Sequence, residues 1–361
     1  MFNHFNLYNT LVDMNIIRSE KNPIIKPEDI EPSNPGFKVV GVFNCGVARF
    51  KDEVLLLMRV AEEPINNNLK KLLVSWLDVR TGKFVVKEFN KADPSIDISD
   101  PRIVGTPEKY YLTSVSHFRI ARSKNGIDFK MDQKPAMFPE NIYERFGIED
   151  PRITHIADKY YITYSAISDI SGITTCLAST TDFIRFNRHG VIFLPDNKDV
   201  VIFPEKISGK YYALNRPSSS GFGLNNIWIS ESPDLVCWGN HSRLMGTREG
   251  YWDSGRIGSG AVPFRVEEGW LEIYHGASKD NKYSLGAVLL DSDIPSKIIG
   301  RSEKPIMEPR TDYELNGYFG NVIFTCGVLY EEGRVKVYYG AADTFIAYAE
   351  IKLVDIFNHI I

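Results

Sequence analysis

The strongest constraint on the fold is an internal repeat. Asp100-Pro101-Arg102-Ile103-Val104 is followed by Lys109-Tyr110-Tyr111-Leu112-Thr113, and fifty positions later Asp150-Pro151-Arg152-Ile153-Thr154 is followed by Lys159-Tyr160-Tyr161-Ile162-Thr163. Looser copies run from Gly46-Val47-Ala48 to Val54–Met58, from Phe203-Pro204-Glu205 to Lys210–Leu214, from Gly260-Ala261-Val262 to Gly269–Tyr274, and from Gly327-Val328-Leu329 to Val335–Tyr339. Each copy alternates β-branched and aromatic runs with Asp, Gly, Asn and Lys turns, the pattern of short strands. A repeat of roughly 50 to 60 residues built from about four short strands is the signature of a β-propeller blade. Six imperfect copies are visible, a number that does not itself fix the blade count.

The repeat decides what length leaves open. A chain of 361 residues would suit two average domains. A ring of blades instead makes residues 1–361 one all-β propeller domain, with 1–35 as an N-terminal extension and 36–361 as blades. Short helices are expected only near the ends, at 7–15 and at Val354-Asp355-Ile356-Phe357. Aromatic residues make up 12% of the chain, which suits β-rich structure and leaves rings available to stack on a sugar. The 42 Lys+Arg against 46 Asp+Glu leave a net charge of −4, with no cationic field to gather a nucleic acid. Four scattered cysteines, Cys45, Cys176, Cys237 and Cys326, read as reduced structural thiols. The opening Met1-Phe2-Asn3-His4-Phe5-Asn6 lacks a basic stretch followed by an apolar run, and no stretch is apolar for the length of a membrane helix. A cytoplasmic location without membrane contact is the expectation.

In a propeller the innermost strands all open near one mouth of the central channel, so residues distant in sequence converge there. Asp100-Pro101-Arg102 and Glu149-Asp150-Pro151-Arg152 aim carboxylates and guanidiniums at that mouth, although either Asp-Pro step alone is also a strand-capping turn. At comparable places stand Asn44, Arg59, Lys198, Arg216, Asp253, Arg256, His275, Tyr283 and Asp343. Carboxylates among several cations suit a reaction on a sugar with an anionic partner. One acid protonates the leaving oxygen while cations hold a phosphate. Rival chemistries lack their motifs: there is no G-x-x-x-x-G-K-[ST], G-x-G-x-x-G before a helix, G-x-S-x-G or H-E-x-x-H, and seven scattered His show no metal-ligand spacing.

Phe146-Gly147-Ile148-Glu149-Asp150-Pro151-Arg152-Ile153, Phe203-Pro204-Glu205-Lys206-Ile207, Asn215-Arg216-Pro217, Trp252-Asp253-Ser254-Gly255-Arg256-Ile257-Gly258 and Glu272-Ile273-Tyr274-His275-Gly276 occur in this order. Together they resemble glycoside hydrolase family 130, the β-mannoside phosphorylases, over roughly residues 20–355. The resemblance implies a five-bladed β-propeller and assigns the extra Asp100 copy to elaboration of an early blade. It implies Asp150 as general acid, acting through a mannose hydroxyl, and a phosphate clamp of Lys198, Arg216, Arg256, His275 and Tyr283. Lys198 stands where many relatives carry Arg, which keeps the charge without the bidentate fork. Asn44, Arg59 and Asp343 would line the mannose site, and Asp100, Arg102, Glu149, Arg152 and Asp253 complete the expected substrate-binding set.

The implied reaction is inverting phosphorolysis of β-1,2-mannobiose or β-1,2-mannooligosaccharides to α-D-mannose 1-phosphate. Inorganic phosphate is the co-substrate, and no cofactor or metal is required. Competing readings are a β-mannosidase using water, a β-1,4-mannosyl-glucose phosphorylase, and a propeller that only binds glycans. Blade edges and loops that can pair between subunits permit a homodimer.

Overall fold

The computed structural model describes residues 14–218 and 222–360. They form five antiparallel sheets arranged as the blades of a propeller. From the channel outward, blade 1 contains Phe37–Phe50, Glu53–Pro64, Val115–Ser123 and Lys130–Met131. Blade 2 contains Ile148–Ile156, Lys159–Ser168, Gly172–Thr180 and Asn187–Phe193. Blade 3 contains Asn197–Ile202, Tyr211–Pro217, Ile227–Ser232 and Gly239–Met245. In blade 4 the inner strand is broken into Arg256–Gly258 and Phe264–Val266. Both pieces pair with Gly269–Ala277, which is followed by Tyr283–Leu290 and Ile298–Arg301. Blade 5 runs Ile323–Glu331, Arg334–Ala341 and Phe345–Lys352. Its outer strand is Ile16–Arg18, a segment of the expected N-terminal extension.

Blade strands bury both faces, so their apolar runs are nearly continuous: Val54–Met58 is buried at every position. Each junction between neighbouring blades holds its own apolar cluster. Leu55, Leu57, Phe118 and Ile148 join blades 1 and 2, and Leu177, Phe193 and Val200 join blades 2 and 3. Val201, Phe203, Ile257 and Trp270 join blades 3 and 4. Leu271, Leu285, Ile323 and Tyr339 join blades 4 and 5, and Val42, Leu56, Tyr338 and Ile346 close the ring. Cys45 and Cys176 lie inside these layers, and burial pushes both thiols up to about 12, which leaves them unreactive.

The five blades account for five of the six sequence copies. The Asp100 copy is not a blade. It belongs to an insertion between the second and third strands of blade 1 that carries two hairpins, Lys71–Asp78 with Lys83–Asn90 and Ile103–Gly105 with Tyr110–Leu112. The helix expected at the C-terminal end is present as Leu353–Phe357. The one expected at 7–15 lies outside the described residues except for Met14 and Asn15, which are not helical.

Ring closure places one charge pair in the interior. Arg18, on the closing strand, donates from Nε to Glu314 Oε1 at 2.7 Å and from Nη2 to the Glu308 carbonyl at 2.9 Å. Glu314 is fully buried and also accepts from the Tyr339 hydroxyl at 2.7 Å and the Arg310 amide at 2.7 Å. Removing the cation strands a buried carboxylate. Arg18→Ala is therefore expected to lower unfolding stability by about 3 kcal/mol, read by denaturant titration.

Candidate active site

One backbone device builds the channel mouth. The inner strands of blades 1, 2 and 3 each carry a register break at the mouth, between Phe43 and Gly46, Glu149 and Arg152, and Lys198 and Val201. Within these bulges Asn44, Asp150 and Asp199 adopt left-handed backbone angles, with φ of 47°, 53° and 56°. Asn and Asp tolerate that region better than most residues, and a bulge re-aims the side chain it carries.

Asp150 is buried and faces a small cavity of about 70 Å³ lined also by Asn44, Arg59, Arg102, Tyr283 and Asp343. Its Oδ1 accepts from Asn44 Nδ2 at 2.9 Å and from Arg59 Nη1 at 3.0 Å. Arg59 Nη2 donates to Glu149 Oε1 at 2.6 Å, and its Nε donates to Ser116 Oγ at 3.0 Å. Lys198 Nζ stands 4.0 Å from Asp150 Oδ2. Burial alone would raise the Asp150 pKa. The charges of Arg59, Lys198 and Arg152 and the Asn44 amide outweigh it and hold the group below the usual carboxylate value. Asp343 behaves in the opposite way. Burial pushes its carboxyl up to about 6, only partly offset by Arg102, whose Nη1 lies 3.6 Å away, and by Arg59.

Behind Asp150 lies a denser network. Arg152 donates to the Asp150 carbonyl at 3.1 Å, to Asp199 Oδ1 at 3.2 Å and to the carbonyls of Ser259 and Gly260, each at 2.9 Å. Asp199 Oδ2 lies 3.2 Å from Arg216 Nη2 and 3.3 Å from His275 Nε2. Neither contact has hydrogen-bond geometry: Asp199 Oδ2, Arg216 Nε and His275 Nδ1 are all buried without a hydrogen-bond partner. Gly258 packs so close to Asp199 and His275 that a Cβ there would collide with both. Burial lowers the His275 pKa to about 4, against the pull of Asp199. Next to this network, Arg256 donates to Asn281 Oδ1 at 2.8 Å and lies 5.6 Å from the Tyr283 ring centroid.

The structure thus gathers Asn44, Arg59, Arg102, Glu149, Asp150, Lys198, Arg216, Arg256, Tyr283 and Asp343 around one mouth. It treats four expected site residues differently. Arg152 is 1% exposed and directs its donors to protein carbonyls and to Asp199. His275 is buried against Phe324, with ring centroids 4.2 Å apart, behind the cavity wall. Asp253 is fully buried in a separate cluster, its carboxylate bonded by Arg248, Arg301 and the Tyr274 hydroxyl. Asp100 is held by Arg102 through Oδ1 at 3.0 Å and Oδ2 at 2.8 Å. Asp199 is absent from the set expected on sequence, although Lys198-Asp199 repeats the Glu149-Asp150 pair one blade on.

The chain has known relatives. A family model described as beta-1,4-mannooligosaccharide phosphorylase matches residues 101–360. The chain belongs to glycoside hydrolase family 130. Within that family it is 46% identical to a "Beta-1,2-mannobiose phosphorylase" of Listeria innocua, over 96% of this chain and 99% of that one. A solved structure of the Listeria innocua enzyme, as a β-1,2-mannobiose complex, superposes with a TM-score of 0.94 over the same shares. A "1,2-beta-oligomannan phosphorylase" of Thermoanaerobacter sp. is 40% identical over 69% of this chain and 83% of that protein.

The raised Asp343 pKa has a measurable consequence. In the unfolded chain the group titrates near its ordinary value of 3.8, and in the folded protein at about 6. Between these values the folded state binds the extra proton, so stability falls as pH rises through this window. Asp343→Asn is expected to be more stable than the wild type above pH 6 by about 3 kcal/mol, with the gap closing towards pH 4. Paired thermal melts across that pH range read the effect.

Proposed function

We propose that this chain is an inverting phosphorylase. It cleaves β-1,2-mannobiose or β-1,2-mannooligosaccharides with inorganic phosphate to give α-D-mannose 1-phosphate, reversibly. The observation that carries this reading is a set of cations on blades 3 and 4: Lys198, 4.0 Å from Asp150 Oδ2, Arg216, 3.2 Å from the neighbouring Asp199, and Arg256, which lies over the Tyr283 ring at the edge of the Asp150 cavity. Hydrolysis of a neutral sugar needs no such clamp, whereas a phosphate does. The printed activities of the Listeria and Thermoanaerobacter relatives support the β-1,2 linkage.

In this reading the mannose to be transferred occupies the cavity of Asn44, Arg59, Asp150 and Asp343. Phosphate sits against Lys198, Arg216, Arg256 and the Tyr283 hydroxyl, with His275 and Asp199 as the buried floor. A phosphate oxygen attacks the anomeric carbon as the bond to the leaving oxygen breaks on the opposite face. The leaving oxygen takes a proton that Asp150 supplies through a mannose hydroxyl. Phosphate is already an anionic nucleophile, so no second carboxylate acts as base. Its negative charge beside Lys198 and Arg216 also offsets the cations that depress the Asp150 pKa, so phosphate binding raises the proton affinity of the acid.

The test is release of mannose 1-phosphate from β-1,2-mannobiose with and without phosphate, with the product anomer read by NMR. Equal turnover without phosphate would show a hydrolase. Asp150→Asn is expected to lower kcat on the order of 10³-fold. Retained turnover in that variant would move the acid to Asp343, the cavity carboxyl with the raised pKa. Arg216→Ala is expected to raise KM for phosphate by roughly ten- to a hundredfold with KM for mannobiose little changed, measured by initial rates with each substrate varied.

A further inference from the structure

Glu272 is a fully buried acid that the reaction above does not use. It lies on Gly269–Ala277, the blade 4 strand that pairs with both pieces of the broken inner strand. Residues 259–263 form the break between those pieces. Glu272 Oε1 accepts from the Gly260 amide inside the break at 2.9 Å, and the Ala261 amide donates to the Ile273 carbonyl at 3.1 Å. A Cβ at Gly260 would collide with the Ile273 carbonyl oxygen, so the break packs tightly against the strand that carries Glu272.

Ser259 and Gly260 are also the residues whose carbonyls receive Arg152. Gly260 thus joins Glu272 to the Arg152 guanidinium through its own amide and carbonyl, and Arg152 goes on to the Asp150 carbonyl and Asp199. Glu272 Oε2 is buried and has no hydrogen-bond partner among the described residues. A carboxylate left that way is costly, whereas a neutral carboxylic acid carries no charge to desolvate. The charged groups around Glu272 do not neutralise it. Arg152, from the inner strand of blade 2, is paired with Asp199 at 3.2 Å, and Arg301, from the outer strand of blade 4, is paired with Asp253. Asp199, from the inner strand of blade 3, repels a second negative charge, and Tyr274 on the same strand gives its hydroxyl to Asp253. Burial accordingly pushes the Glu272 carboxyl up to about 8.

We propose that Glu272 is a positioning residue that acts in its neutral form: it holds Ser259 and Gly260 where Arg152 needs them, and its ionisation loosens that frame and slows turnover. The inference rests on the phosphorylase reading above. Below its titration the acid is neutral and the frame is intact. Above it, the new anion competes with Asp199 for Arg152, the Asp150 carbonyl loses its fixed partner, and kcat falls as pH rises.

The experiment measures kcat for phosphorolysis of β-1,2-mannobiose from about pH 6 to about pH 10 in the wild type, Glu272→Gln and Glu272→Met. Gln keeps an oxygen for the Gly260 amide and cannot ionise, whereas Met fills similar space with neither property. At about pH 7, Glu272→Met is expected to lower kcat by roughly tenfold or more, and Glu272→Gln to recover most of that loss. The ratio of the Gln variant's kcat to that of the wild type divides out any pH dependence the two share, that of Asp150 included. This ratio is expected to be flat up to about pH 7 and to rise roughly tenfold by about pH 9. A ratio that stays flat throughout, or a Met variant as active as the Gln variant at about pH 7, overturns the assignment. Should Glu272→Gln fail to fold, the ratio of Glu272→Met to wild type reads the same rise. A wild-type enzyme that releases no mannose 1-phosphate overturns the phosphorylase reading itself, a result separate from either variant outcome.

Discussion

The site depends on one buried guanidinium. Arg152 belongs to the same inner strand as Asp150 and reaches into two further blades, fixing the Asp150 carbonyl, the Asp199 carboxylate and the Ser259 and Gly260 carbonyls together. Four contacts from one rigid planar fork set the spacing of three blades where they come closest to the channel. Lysine could not replace it, because a single ammonium cannot direct donors to separated carbonyls and a carboxylate at once. Burying such a pair adds little net stability, but it makes the geometry single-valued. The acid and the cations behind it are thereby held on one frame: Asp199 links Arg152 on the Asp150 side to Arg216 and His275 on the other.

That frame also explains how two carboxyl groups in one cavity come to differ. Asp150 and Asp343 share the field of Arg59, yet one lies below the usual range and the other is pushed up to about 6. Asp150 has three cations and an amide turned towards it, whereas Asp343 has mainly Arg102 at 3.6 Å and the repulsion of Asp150 and Glu149 against it. Divergent environments of this kind separate the roles of chemically identical side chains. In the proposed reaction the difference matters before substrate arrives. Asp343 keeps its proton up to about pH 6, while Asp150 gains affinity for one only when phosphate offsets its cations.

The ring was legible in the sequence because blades bury both faces and repeat. Runs such as Val54–Met58 recur with the same turn residues, and their spacing needs no knowledge of partners. The Asp100 copy misleads at this level because the local sequence is that of a blade start. Strand pairing decides the outcome: Ile103–Gly105 and Tyr110–Leu112 form a hairpin of their own, and the chain then returns to blade 1 as Val115–Ser123. The mouth residues were legible as a set, but burial sorted them. Nothing in Trp252-Asp253-Ser254-Gly255-Arg256 tells that Arg248 and Arg301 will enclose Asp253 while Arg256 stays near the mouth. Asp199 is hidden because the repeat in blade 3 is most visible at Phe203-Pro204-Glu205, a loop beyond the inner strand, and because Lys198-Asp199 lacks the Pro-Arg that marks Asp150.

A pseudo-symmetric ring must break its symmetry to hold an asymmetric substrate, and here it does so at one repeated position. The bulge of blade 1 carries Asn44, which turns its amide to Asp150. The bulge of blade 2 carries Asp150, facing the cavity, and that of blade 3 carries Asp199, turned back among cations. Blade 5 breaks register at the equivalent height around Cys326, a buried thiol without charge. The same backbone device thus supplies an amide donor, a carboxylate with a free edge, an internal counter-ion and an inert side chain. The blade 1 insertion then covers one side of the mouth and leaves the cations of blades 3 and 4 on the other. The chemistry comes from which side chain each bulge carries and which blade bears the insertion, not from the propeller itself, which would be compatible with many other reactions.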